Sequence, residues 1–238
     1  MNNILLPGTN YQVKFLKEVI GEPQSPVLFV GSGNEMCAAD YSAYINAPVE
    51  HIVEDYESMI NAKLLTTSNN LITTRIMDFT NTDFDDNSFS LVFAQASTSN
   101  FSRNKIVKEL RRVLKPGGIY CVGETIKTKK HLPTFAMDII ESSEMNLLHS
   151  DEIQSYYELR NFSFIDEKEV HKSLDEYYET ANNLMRNSVK QMDETELKYN
   201  KKIIKKIKHE TEAYLKNGFD KYISFKILIL KKNESEQK

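Results

Sequence analysis

The 238-residue chain has no tryptophan and only two cysteines. Cys37 and Cys121 stand far apart and outside any metal-ligand spacing, so no disulfide framework and no metal site is expected, and both are read as buried free thiols. Long apolar runs are missing too: none approaches the length that spans a bilayer, and the start MNNILLPGTN has neither a basic n-region nor an apolar stretch of signal length. These absences predict a soluble cytoplasmic protein with no membrane partner. An excess of one charge is also lacking, since 30 Lys and Arg against 34 Asp and Glu leave a formal net charge of −4. Such a balance gives no overall pull toward nucleic acid, so any such partner would need a local patch. Internal repeats and low-complexity segments are absent.

What is present is an alternation of strand and helix patterns. Tyr11 to Ile20 carries apolar residues at helical spacing, stopped by Gly21, and the breakers Pro23 and Pro26 follow. VLFVGSGNEMCAAD, residues Val27 to Asp40, then runs from a β-branched strand through two glycines into a helix from about Asn34 to Ala47. Glycines at such a joint let the backbone approach a bound group, and the helix N-terminus beyond offers free N–H donors. The dinucleotide fingerprint G-x-G-x-x-G needs a third glycine where this chain has Met36, which argues against a nicotinamide cofactor. Further strands are expected at His51 to Val53, Leu71 to Met77, Phe89 to Ala94 and Ile119 to Gly123. Helices are expected at Met59 to Leu65 and along the face Ile106, Val107, Leu110, Val113 and Leu114, the latter closed by Lys115-Pro116-Gly117-Gly118. Alternation of this kind predicts a doubly wound parallel sheet covered on both faces, with acids at strand ends where ligands bind.

Beyond residue 125 the pattern changes. A helical region over Pro133 to Arg160 leads to a sixth strand, Phe162 to Val170. Two long helices, Leu174 to Met192 and Glu194 to Leu215, precede a last strand, Tyr222 to Leu230. Asp193 with Glu196 three residues on reads as a capping box. The polar tail KKNESEQK reads as frayed. The division expected is an N-terminal helical segment over residues 1–26, a ligand-binding core over 27–125, and a C-terminal part of the same domain over 126–238. Residues 173–217 form a helical insertion between the last two strands.

Taken in order, these features resemble class I S-adenosylmethionine-dependent methyltransferases, especially their small-molecule branch, over roughly Val27 to Glu124. LRRVLKPGGIY is similar to the family's helix and turn into strand five, and DFDDNSFSLVFAQ to its turn into strand four. The resemblance implies a Rossmann-like, seven-stranded, mostly parallel sheet with an antiparallel last strand, and S-adenosyl-L-methionine as cofactor. It implies that Gly31, Ser32 and Gly33 lie against the methionine part and that an acid ending strand two takes the ribose hydroxyls. In VEDYESM the register from Met59 selects Glu54 over Asp55 for that role. Asp78 would face the adenine amino group with Phe79 beside the ring, and Gln95 would border the cofactor. A ribose diol donates two hydrogen bonds, which suits a carboxylate acceptor.

Each residue also has a plainer reading. Gly31 and Gly33 could serve a tight turn alone, Glu54 and Asp78 could be solvated strand-end acids, and Phe79 could be core. Glu35 reads as a solvent-facing glutamate in the first turn of its helix, favoured there by the dipole. Tyr177 and Tyr178, on the first insertion helix, are candidate substrate contacts if the insertion folds back as a lid; the alternative is that their face packs on the second helix. In KYNKKIIKKIKHE the lysines read as a solvated face, because a charge run without interleaved aromatics lacks a stacking platform for single strands. His209 reads as a surface histidine.

The activity implied is methyl transfer to a small-molecule acceptor, with no catalytic base assigned and the oligomeric state open. The rivals are methylation of RNA or protein by the same core, and a module that binds the cofactor without turnover.

Overall fold

A computed structural model describes residues 4–22 and 24–234. Pro23 as a helix breaker, and the end of the polar tail, lie outside the described residues. In chain order the elements are α1 (Tyr11–Ile20), β1 (Val27–Val30), α2 (Glu35–Ile45), β2 (Val49–Val53), α3 (Tyr56–Leu65), β3 (Ile72–Ile76), β4 (Phe89–Gln95) and α4 (Arg103–Val113). They continue with β5 (Leu114–Lys127), α5 (Thr134–Ser142), α6 (Ile153–Glu158), β6 (Phe162–Glu169), α7 (Lys172–Gln191), α8 (Glu194–Lys216), a 3-10 turn at Phe219–Lys221, and β7 (Ile223–Lys232).

The seven strands form one sheet in the order β3-β2-β1-β4-β5-β7-β6. β1 to β5 are parallel neighbours, and β7 enters antiparallel between β5 and β6. This is the Rossmann-like architecture expected. Alternation along β1 shows why both faces are apolar: Val27 and Phe29 join the core under α1 and α2, while Leu28 and Val30 join the core under α4 and α6. A strand covered on both sides has no polar face to keep, hence its near-continuous apolar sequence. Cys37 and Cys121 are both free and buried, as expected.

Several boundaries differ from the sequence reading, and three of the differences have a clear structural reason. Lys115 to Gly118 lie within β5 as an irregularity, because Leu114 already pairs with Phe89 before the register resumes at Leu91 and Ile119. The helical region expected over Pro133 to Arg160 divides into α5 and α6. Glu144 takes a left-handed conformation (φ 59°), Met145 bridges to Asn100 and His149 to Lys127, which ties the intervening chain to the loop after β4 and to the end of β5. α2 stops at Asn46, whose left-handed conformation (φ 50°) caps it.

The two insertion helices form an antiparallel hairpin between β6 and β7. Asp193 and Glu196 make the expected capping box. At the base, Tyr178 and Tyr214 stack with ring centroids 4.1 Å apart, and both are buried in the main core. From Thr180 to His209 no residue is buried.

Candidate active site

β1 ends in the glycine turn. Gly31 and Gly33 both have positive φ, 105° and 87°, a region closed to side chains at low cost. A Cβ on Gly31 would meet Ser97 Oγ at 2.1 Å, and one on Gly33 would meet Leu6 Cγ at 2.8 Å. Glycine is required at both positions by the approach of the chain after β4 on one side and of the N-terminal segment on the other. Asn34 Nδ2 donates to the Val30 carbonyl at 2.7 Å, fixing the start of α2.

Glu35 corrects the sequence reading. It is buried at 4% exposure, and its Oε1 accepts from the Gly33 amide at 2.9 Å. The first-turn glutamate folds back on the loop instead of facing water, because that amide has no strand partner. His51 on β2, which the sequence reading missed, supports the same loop. Its Nε2 lies 3.0 Å from the Gly31 carbonyl oxygen, and its Nδ1 lies 3.3 Å from Thr74 Oγ1. A carbonyl only accepts, so Nε2 carries the proton and neutral Nδ1 accepts from the threonine. Burial holds the imidazole pKa below its ordinary 6.5, against the opposing pull of the Gly31 bond, Glu35 and Glu54. A polar residue inside an apolar strand was the available signal.

At the end of β2 the two neighbouring acids separate by task. Asp55 accepts from the Ser58 amide at 2.8 Å and caps α3. Glu54 is exposed and its Oε2 accepts from Ser32 Oγ at 2.6 Å, which ties it to the glycine loop. After β3, Asp78 Oδ1 accepts from the amide and hydroxyl of Thr80, both at 2.8 Å, leaving Oδ2 toward solvent. The Thr80 amide bond is the main reason its carboxyl stays below the usual range.

Glu54, Asp78 and Phe79 line one cavity of about 560 Å³ with Met77, Asn100 and Phe101. Phe79 is 6% exposed, so it belongs to the core and to the cavity wall at once. Gln95 does not join that lining. Its side chain is buried, with Nε2 donating to the Pro7 and Thr9 carbonyls at 2.8 Å each and Oε1 accepting from the Cys37 thiol at 3.5 Å. Gln95 therefore fastens the N-terminal strap, Leu6 to Thr9, beside the glycine loop.

The strap is also tied to the hairpin. The Gly8 amide donates to Ser173 Oγ at 3.2 Å, Tyr11 to Glu176 Oε1 at 3.0 Å, and Thr9 to Glu176 Oε2 at 3.4 Å. Tyr178 is committed to the hairpin: its hydroxyl donates to Glu210 Oε1 at 2.8 Å. Tyr177 is half-buried, its hydroxyl makes no hydrogen bond among the described residues, and burial, then Glu210, pushes its pKa up to about 12. The lysine run of α8 is exposed and so is His209, as expected.

The arrangement fits S-adenosylmethionine. A glycine cradle that side chains would fill adjoins a cavity with one carboxylate toward the loop, a second beyond it and an aromatic wall. Among the described residues no cluster suited to a metal ion occurs, and no helix is long and apolar enough to cross a membrane.

Residues 28–122 match the family model of the methyltransferase domain. No curated protein sequence matches the chain. Among solved structures, a candidate sarcosine dimethylglycine methyltransferase from Galdieria sulphuraria superposes with a TM-score of 0.74 at 12% identity, over 94% of this chain and 84% of that one. Phosphoethanolamine N-methyltransferase 2 of Haemonchus contortus, with S-adenosyl-L-methionine, gives 0.74 at 17%, over 98% of this chain and 55% of the other. Geranyl diphosphate C-methyltransferase of Streptomyces coelicolor A3(2) gives 0.67 at 14%, over 94% and 77%. At such identities the likeness establishes the fold. Together with the family match over residues 28–122, it supports a class I S-adenosylmethionine-dependent methyltransferase that uses S-adenosyl-L-methionine.

Proposed function

We propose that the acceptor is a small molecule, bound where the N-terminal strap and the base of the hairpin meet. The observation that carries this reading is the bond from the Gly8 amide to Ser173 Oγ, 165 residues apart in sequence. It ties the strap, whose Leu6 lies against Gly33, to the base of the hairpin, and a cover of this kind over the methyl would exclude water and suit a small acceptor better than a folded protein or a nucleic acid. The named relatives, which act on small molecules, support the same reading.

In this reading Gly31, Ser32 and Gly33 hold the methionine part, Glu54 the ribose hydroxyls, and Asp78 the adenine amino group against Phe79. Gln95 acts through the strap. Tyr177, whose hydroxyl is uncommitted, orients the acceptor, while Tyr178 is a structural member of the hairpin. The sulfonium supplies an already activated methyl group. The chain's own residues then have to bind, align and exclude water, and such positioning lowers a barrier substantially. No side chain is assigned as a base, which is needed only when the acceptor atom carries a proton at neutral pH.

The test is transfer of labelled methyl from S-adenosylmethionine to a panel of small amines, carboxylates and phenols, run beside total RNA and denatured protein. Turnover of at least one small acceptor is expected. Label confined to RNA or protein would overturn the reading, and cofactor binding with no turnover anywhere would favour the non-enzymatic module.

A further inference from the structure

No helix intervenes between β3 and β4, and the connecting chain leaves a groove of about 620 Å³ along the flank of α4. Its cations are Lys105, Lys108, Arg111 and Arg112 from the helix and Lys232 from the end of β7. The two carboxylates of the groove are already taken. Arg112 holds Glu109 through Nε at 2.9 Å and Nη2 at 2.6 Å, and Asp86 through Nη1 at 2.7 Å. Thr82 donates to Glu109 from its amide and its hydroxyl.

The other four cations form no ion pair among the described residues. Lys232 is only 7% exposed, its Nζ donating to Asn87 Oδ1 at 2.9 Å and to the Leu114 carbonyl, and Arg111 Nε is buried with no acceptor. Burial and then the charge of Arg111 lower the Lys232 pKa. Lys105, Lys108 and Arg111 climb the helix at steps of about 4.5 Å in rise. A second cavity of about 320 Å³ shares Lys108 and Arg111 and adds Arg160, so the positive furrow continues past the helix.

Cations side by side without a counter-charge repel one another, and an acceptor-rich anion relieves that cost with charge-assisted hydrogen bonds. A lone carboxylate would reach one or two donors. The row calls for several oxygens and several charges. The groove offers no aromatic platform for stacked bases and is bounded in volume, which disfavours a nucleic-acid strand.

We propose that this groove, which borders the cavity of Asp78 and Phe79 at Thr80, binds a small oligophosphate group. The test is calorimetric titration of the full chain at low salt with tripolyphosphate and with uridine diphosphate. Tighter binding of tripolyphosphate assigns a free oligophosphate, and tighter binding of the diphosphate assigns a nucleotide. The expected result is saturable binding weakened at least tenfold in the double variant Lys105→Gln, Lys108→Gln, whose sites are exposed, and in Arg111→Gln alone. The quadruple variant Lys201→Gln, Lys202→Gln, Lys205→Gln, Lys206→Gln removes more charge elsewhere and should shift affinity less than twofold. No saturable binding of either probe, equal weakening in both variant sets, or binding seen only with a single-stranded uridine RNA would overturn the proposal.

Discussion

Ser32 Oγ donates to Glu54 Oε2 at 2.6 Å, so the loop after β1 and the acid ending β2 are joined before any ligand arrives. One oxygen of Glu54 is thereby oriented while the other stays open to a ribose hydroxyl. Glu54→Ala should weaken S-adenosylhomocysteine binding by roughly 1.5–3 kcal/mol, the range for a hydrogen bond to a charged group. Asp55→Ala should instead lower stability by about 0.5–2 kcal/mol through the lost helix cap, with cofactor affinity unchanged. Calorimetry and thermal melts on both variants separate the two acids; reversed results would assign the ribose to Asp55.

His51 gives a pH dependence with a defined sign. Its folded pKa lies below the ordinary 6.5 because it is buried. Below 6.5 the unfolded chain therefore binds more protons than the folded one, and stability falls as pH drops from 6.5 toward the folded value. Above 6.5 the residue contributes no slope. Protonation also puts a hydrogen on Nδ1 and removes the acceptor for Thr74. His51→Gln does not titrate, so the stability advantage of the natural residue should be larger at pH 7.5 than at pH 5.5. A constant difference in melting temperature across that range would show that His51 does not titrate with folding.

The sequence made β1, its glycines and the two strand-end acids legible because each rests on a local rule: β-branched runs form strands, and turns with positive φ take glycine. The register singles out Glu54 over Asp55, and in the structure Asp55 is taken by its cap bond to Ser58 while Glu54 meets Ser32 of the glycine loop. Glu35 was misread because the dipole rule is local, whereas the amide it serves on Gly33 was left unpaired by a turn whose shape depends on Leu6 and Ser97. The strap was illegible for the same reason. Pro7, Thr9 and Gln95 meet across more than 80 residues, and no periodicity encodes that meeting.

Tyr177 and Tyr178 are adjacent in sequence and divide by role. The Tyr178 hydroxyl bonds Glu210 and its ring stacks on Tyr214, so Tyr178→Phe leaves a carboxylate short of a donor. A loss of about 1.5–3 kcal/mol follows, which lowers the melting temperature by roughly 3–12 °C at this chain length. Tyr177→Phe removes a hydroxyl with no partner and should leave melting and cofactor affinity unchanged while lowering turnover of the true acceptor. Unchanged turnover would move the acceptor pocket away from α7.

Gln95 and Ser173 lie on different elements, yet each holds the same short strap: Gln95 through the Pro7 and Thr9 carbonyls, Ser173 through the Gly8 amide. If the strap covers the methionine end of the cofactor, loosening it at either place should speed cofactor release without touching the ribose or adenine contacts. Gln95→Ala and Ser173→Ala should therefore each raise the off-rate of S-adenosylhomocysteine, and the double variant should raise it by less than the product of the two. Residues that act through one shared segment are coupled, and coupling energies of about 0.5–3 kcal/mol are usual for such pairs. Direct contact of Gln95 with the cofactor predicts the opposite pattern, with independent and multiplicative effects, because Ser173 would then have no part in what Gln95 does. Stopped-flow release of a fluorescent analogue from the four proteins distinguishes the cases. Glu54→Ala serves as the internal control: its contact is made at the ribose, so its effect should multiply with that of Ser173→Ala.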